Sequence, residues 1–362
     1  MKNISPQKVK KVALYDPYLS IMGGGERLIL SILQVFDRAG YEVTIFWNED
    51  LSREMTEKLQ LEFHHLTFQK NIVTKGNTFA ILRQLKSFDA FFYVTDGSYF
   101  LSSAKKNVVY CMVPDPKLYT RNIINKLKLW NYDFITISQF SQKALTQLGI
   151  PSKIIYPYLS ADFFEPIPQK QKTILSVGRF FPHLHSKRQD IAISWFKDLI
   201  TKNPRFASYK LILAGSLMEV DRDYFTTLQQ MAGDNPQIEF HVNIPFSKLM
   251  QLYDQSEYYW HFAGYEVDES IHPEQTEHLG ITPIEAMARG CLTFAYRAGG
   301  PKEIIKDGET GYLFTSQTEL FEKMNEATQN RKSIISKASD YVSSNFSYSV
   351  FEKRVLDVLL NK

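Results

Sequence analysis

Cysteine is nearly absent: 362 residues hold two, Cys111 and Cys291, far apart and each in an apolar run. That excludes a disulfide framework and a cysteine metal pair, and it fits two small buried hydrophobes in a reducing, cytoplasmic compartment. No stretch reaches the roughly 18 apolar residues that a membrane span needs. The N-terminus, Met1 to Lys11, is basic, but no apolar signal core follows it. The expectation is a soluble chain, or one peripheral on the cytoplasmic membrane face. Charge of one sign is scarce too. The formal net charge is +3, too small to imply nucleic acid. Its distribution says more: residues 1–165 carry 20 Lys/Arg against 15 Asp/Glu, and the remainder 22 against 24. The first part is therefore the better candidate to meet an anionic surface. Short-period repeats and low-complexity tracts are missing as well.

What is present is an alternation of strands and helices, repeated. Val12–Asp16 reads as a buried strand, Gly23-Gly-Gly25-Glu26 as the loop after it, and Leu28, Ile29, Ile32, Leu33 and Phe36 as the apolar stripe of a helix that Gly40 closes. Strands follow at 42–47, 90–94, 108–112 and 134–137. Tyr156-Pro-Tyr158 and Phe164-Glu-Pro-Ile-Pro168 punctuate the chain as a linker. The alternation then restarts, with strands at 173–177, 210–214, 238–242, 258–262 and 292–295. Helices fall between them at 190–199, 224–231, 247–255 and 283–289. The fold class is α/β: an N-terminal Rossmann-like domain over 1–165, a second over 166–345, and a final helix over 346–362 that crosses back. An apolar content of 44% lets each domain bury a core. Ligands in such folds bind at the carboxyl ends of the strands, and two facing sheets would place the site in the cleft between them.

The most informative segment is Glu277-His-Leu-Gly280-Ile281-Thr282-Pro-Ile-Glu285-Ala-Met-Ala-Arg-Gly290. Thr282 to Glu285 has the form of a capping box with proline at the first helical position. Orphan amides at such a helix start seat a diphosphate, and carboxylates on either side can bind sugar hydroxyls. Glu285 is equally well accounted for as a capping residue. Glu277 has no such local explanation. Gly178-Arg179 ends a strand, and Lys187-Arg188 opens the next helix, so two cations meet where a bound anion would offset the unfavourable helix dipole. His261 closes the 258–262 strand; it is either a site residue or a histidine packed among aromatics.

Glu-x7-Glu in this frame of glycine, proline and alanine resembles the donor site of retaining glycosyltransferases of the GT-B fold, family 4, similar to lipid-linked oligosaccharide mannosyltransferases and bacterial polysaccharide enzymes. Gly24-Gly25-Glu26-Arg27 and Gly299-Gly-Pro-Lys-Glu303 fit the same resemblance. It implies that Arg179 and Lys187 (or Arg188 in its stead) bind the diphosphate, Glu285 the ribose, and Glu277 the transferred sugar. Gly24, Gly25, His261, Gly280, Ile281 and Thr282 complete the donor site, with Glu277, Arg179 and Lys187 central to catalysis. On the acceptor side, Val108–Pro114 resembles the family's strand-to-proline motif, with Met112 where many members have histidine. Asp96 and Asp115 are further acceptor candidates that also read as turn residues. The implied partners are a nucleoside-diphosphate sugar and a glycan or lipid-linked acceptor, with no cofactor and no metal. Asp221-Arg-Asp223 reads as a helix cap rather than a metal motif, and His183 and His185 lack further ligands at metal spacing. Lys117–Tyr132 reads as one basic amphipathic helix, either packed on the core or facing anionic lipid. The alternatives are a GT-B sugar-nucleotide epimerase or phosphorylase, and a non-catalytic binding subunit.

Overall fold

The computed structural model describes residues 9–360, apart from Lys75, Ile167 and the side chain of Thr328. Its chain divides into two compact units. One runs through Ile137 and adds Gln142–Tyr156 and the chain from Glu352 on; the other holds Ser138–Ser141 and Pro157–Phe351.

In the first unit the strands are β1 (Lys11–Tyr15), β2 (Glu42–Phe46), β3 (Leu66–Gln69), β4 (Ala90–Val94), β5 (Lys106–Tyr110), β6 (Tyr132–Thr136) and β7 (Lys153–Ile154). Among the described residues they form one parallel sheet in the order β3-β2-β1-β4-β5-β6-β7. β1 lies inside the sheet, third in that order, with Val12 opposite both Val43 and Ala90. Its residues Val12, Ala13 and Leu14 are fully buried, as a strand covered on both faces requires. The Gly24–Arg38 helix follows it and buries Leu28, Ile29, Ile32, Leu33 and Phe36.

The second unit repeats the scheme with β8 (Gln171–Val177), β9 (Lys210–Gly215), β10 (Ile238–Val242), β11 (Ser256–His261), β12 (Leu292–Tyr296) and β13 (Tyr312–Phe314). Here the parallel order is β10-β9-β8-β11-β12-β13. In each sheet the first strand lies third from one edge and the order reverses beside it, the doubly wound pattern whose ligand edge is the strand carboxyl ends. Helices at Gln189–Lys202, Arg222–Ala232, Phe246–Gln255 and Ile281–Ala288 connect the strands. Trp195, Phe206, Tyr258, Trp260, Phe262 and Phe294 are prominent in their core. A 30-residue helix, Gln317–Phe346, closes the unit.

The segment read as one helix over 117–132 does not form one. A 3-10 turn at Pro116–Leu118 is followed by a six-residue helix, Ile123–Lys128, started by Asn122, whose side chain accepts from Asn125 N. The expected apolar face is split. Tyr119 is buried and its hydroxyl donates to Val113 O at 2.8 Å, whereas Ile123, Leu127 and Trp130 stand in the open. The asparagine cap restarts the helix in a new phase, which separates Tyr119 from the rest.

Candidate functional site in the second unit

Three predicted residues meet at the carboxyl edge of this sheet. β11 is buried along most of its length and delivers His261 at its last position, 1% exposed. The loop before the Ile281–Ala288 helix brings Glu277 to it, with Glu277 Oε2 3.0 Å from His261 Nε2. The Lys187 ammonium donates to the same carboxylate oxygen, the two side chains being only 12% and 13% exposed. Burial pushes the Glu277 carboxyl up, but the Lys187 charge and the His261 contact outweigh it and hold Glu277 well below the usual carboxylate range. Burial pushes His261 down. It also lowers the nearby His185 to about 3 and His278 to about 4. At neutral pH Glu277 is therefore ionised and the three imidazoles are uncharged.

The Glu277 loop is fixed by close backbone contacts. Gly300 N donates to Glu277 O at 2.7 Å, and a Cβ on Gly300 would lie 2.3 Å from Leu279 Cα. Gly280 then turns the chain into the helix at φ +99°, a conformation glycine alone adopts without strain. This overturns the expected capping box. The helix begins at Ile281, no side chain caps its first amides, and Pro283 is its third residue rather than its first. Thr282 Oγ1 instead pairs with Tyr259 Oη at 2.8 Å, and Glu285 accepts from the buried Tyr253 hydroxyl at 2.8 Å. The physical reason is the pair of phenols: each is fully buried and must find a partner. Nothing in the local sequence around either tyrosine signals that role.

Arg179 and Lys187, read as a pair, are bound to different carboxylates. Arg179 donates through Nε and Nη2 to Asp221 Oδ2, at 3.2 and 2.7 Å. Asp221 occupies the position before the Arg222–Ala232 helix, yet its side chain makes no capping bond there; it is 6% exposed and spent on Arg179. The capping explanation is thus replaced by an ion pair. Lys187 and Arg188 are not interchangeable, because Arg188 is held by Asp190 at 3.0 Å and lies over the Tyr265 ring.

In the first unit, Gly24 opens the helix, and Glu26 caps it by accepting from Gly23 N at 2.7 Å. Beside Gly25 the space is filled by Met112, whose Cε would lie 2.5 Å from a Cβ placed there. Asp115 and Asp96 serve turns, accepting from Lys117 N at 2.9 Å and Ser98 N at 3.0 Å. The sequence reading missed Asp16. It follows β1, is fully buried, and accepts from Tyr18 N at 2.8 Å through Oδ1. Oδ2 has no hydrogen-bond partner among the described residues. Burial raises this carboxyl to about 7. Its place at the end of the first strand, just before the glycine loop, was the available signal.

Two parallel doubly wound sheets, the second with a buried Lys–Glu–His cluster at its strand edge, define an α/β class that binds ligands at the strand carboxyl ends. The profile of glycosyl transferases group 1 matches residues 160–341, half of the chain, and the chain belongs to that family. It is a glycosyltransferase of the GT-B fold. It is 24% identical to the alpha-1,3/1,6-mannosyltransferase ALG2 of Rhizomucor pusillus, over 96% of this chain and 91% of that protein. It is 29% identical to the human GDP-Man:Man(3)GlcNAc(2)-PP-Dol alpha-1,2-mannosyltransferase, over 49% of this chain and 37% of that protein. Among solved structures, Anabaena HepE in complex with UDP superposes with a TM-score of 0.72 at 19% identity, covering 97% of this chain and 99% of that one. At that identity it speaks for the fold alone.

Proposed function

We propose that the chain moves a hexose from a nucleoside-diphosphate sugar to a lipid-linked glycan at the cytoplasmic face of a membrane, with retention of configuration and without a metal ion. The observation that carries the reading is the buried Lys187–Glu277–His261 cluster. Its carboxylate stands in the loop that Gly280 turns into an uncapped helix start. A cation, free amides and a carboxylate fixed in its charged form are what a sugar diphosphate needs. Glu277 accepts hydroxyls of the transferred sugar and Glu285 those of the ribose. Lys187, Arg179 and the amides of Ile281 and Thr282 take the charge that grows on the departing diphosphate. In the transfer the bond from the anomeric carbon to phosphate breaks. The acceptor oxygen bonds to that carbon on the same face, and its proton passes to a diphosphate oxygen. His261, neutral and packed against Glu277, orients the carboxylate. Gly24 and Gly25 serve the donor, with Met112, Asp96 and Asp115 on the acceptor side. The relatives' names support mannose as the sugar and a dolichol-diphosphate glycan as the model for the acceptor.

Calorimetry in a chelator tests this, comparing GDP, UDP, GDP-mannose and UDP-glucose. One sugar nucleotide should bind, and raise the melting temperature by mass action. Glu277→Gln should lose the preference for the sugar nucleotide over its nucleoside diphosphate, whereas Glu285→Gln should weaken both. Binding that needs a divalent ion, or none at all, overturns the assignment.

A further inference from the structure

The six-residue helix Ile123–Lys128 has no buried residue, and its apolar side chains face solvent. Ile123, Ile124, Leu127 and Trp130 are 78%, 64%, 63% and 77% exposed, a concentration found at no other stretch of comparable length among the described residues. The segment 116–131 around them carries Lys117, Arg121, Lys126 and Lys128 and no acidic residue. Beside the helix lies a hollow of about 480 Å³, with Arg121, Lys126 and Lys153 on its wall against a single carboxylate, Asp133. Trp130 and Tyr132 also line it. Apolar groups left in water with cations on every side are costly unless something apolar and anionic covers them.

We propose that this surface docks on an anionic phospholipid bilayer. Ile123, Ile124, Leu127 and Trp130 enter the headgroup–acyl boundary, Lys117, Lys126 and Lys128 lie against the headgroups, and the hollow takes one lipid phosphate. Tryptophan and short apolar helices flanked by lysine suit that boundary. Charge decides between occupants: a second copy of the same patch would bring its own four cations and be repelled, whereas an anionic bilayer neutralises them. The docking rests on the proposed lipid-linked acceptor, because it places the enzyme where such a substrate lies.

Flotation of the full chain with vesicles of phosphatidylcholine, with and without phosphatidylglycerol, tests it at low salt. The wild type should float only with the anionic vesicles, and its fluorescence should shift to the blue, a shift absent in Trp130→Phe. One cation near an anionic surface contributes about fivefold in partition, so Lys126→Ala/Lys128→Ala should bind about thirtyfold more weakly. Ile124→Ser/Leu127→Ser should lose binding as well. These residues are solvent-exposed, so an unchanged circular dichroism spectrum is expected. No flotation of the wild type, or flotation indifferent to both variants, overturns the surface. So does a wild-type dimer that Leu127→Ser dissolves, which would make a second copy the occupant. Sugar-nucleotide calorimetry on the same preparations separates the two ideas. A protein that floats but binds no sugar nucleotide refutes the reaction and keeps the surface; the reverse result keeps the reaction alone.

Discussion

Removing both partners of the Lys187–Glu277 pair should cost less than the sum of removing each. The two side chains are about seven-eighths buried, and deleting one member of such a pair leaves a stranded charge at about 3–5 kcal/mol. Lys187→Met belongs at the lower end, because His261, 3.0 Å from the carboxylate, can take a proton and replace the lost cation. Glu277→Gln belongs at the upper end, since it leaves the ammonium among imidazoles that burial keeps neutral. The double variant Lys187→Met/Glu277→Gln removes both charges with little change in shape. It should be less destabilised than the sum of the single variants by at least about 2 kcal/mol. The pH dependence has a definite sign. Glu277 is held below its ordinary value in the folded protein, so its contribution is present above the usual carboxylate range and disappears as the pH falls through its lowered value. The assay is urea unfolding followed by Trp195 and Trp260, both in the core of this unit. Trp47→Phe/Trp130→Phe in every variant silences the other unit. Single-variant costs that add to within about 0.5 kcal/mol would refute the coupling and, with it, the claim that Lys187 holds Glu277 charged.

Asp16→Asn should stabilise the protein at pH 8 and do little near pH 4. The unfolded chain loses this proton from about 3.8 and the folded one only at about 7. Wild-type stability therefore falls across that window, by at most about 4 kcal/mol at roughly 1.4 kcal/mol per pH unit; melting temperatures of both proteins at the two pH values decide it, and an equal difference at both would dismiss the buried acid. Gly300→Ala should cost about 3 kcal/mol and abolish sugar-nucleotide binding, because its methyl would strike the Leu279 backbone and displace Glu277. Thermal melting with calorimetry checks both effects, and retained affinity would mean that the loop is not what positions the carboxylate.

Periodicity alone carried most of the fold. The central strands are short, mostly apolar and separated by helical stripes, so β1, β4, β8, β9 and β11 are each decided by their own residues. The Gln317–Phe346 helix escaped this reading. Its buried positions, Leu320, Met324, Ala327, Ile334, Ala338, Val342 and Phe346, keep helical spacing, but they are diluted by exposed polar residues. β13 is three residues long, too short to show a period. Glu277 and Glu285 were legible as a pair in a glycine–proline frame, but their partners were not. Arg179 reaches Asp221 across 42 residues and Lys187 reaches Glu277 across 90. Tyr253 approaches Glu285 only because a strand and two helices pack together. The same limit governs the 117–132 segment: its spacing allowed a single helix, and the burial of Tyr119 against the Val113 carbonyl, with a new start at Asn122, broke it. Sequence determines what neighbours in the chain can decide among themselves: helical phase, strand continuity and the turns that glycine and proline permit. Which charge a buried carboxylate meets, and which apolar face is left in water, depends on groups far apart in the chain, and only the tertiary structure decides it.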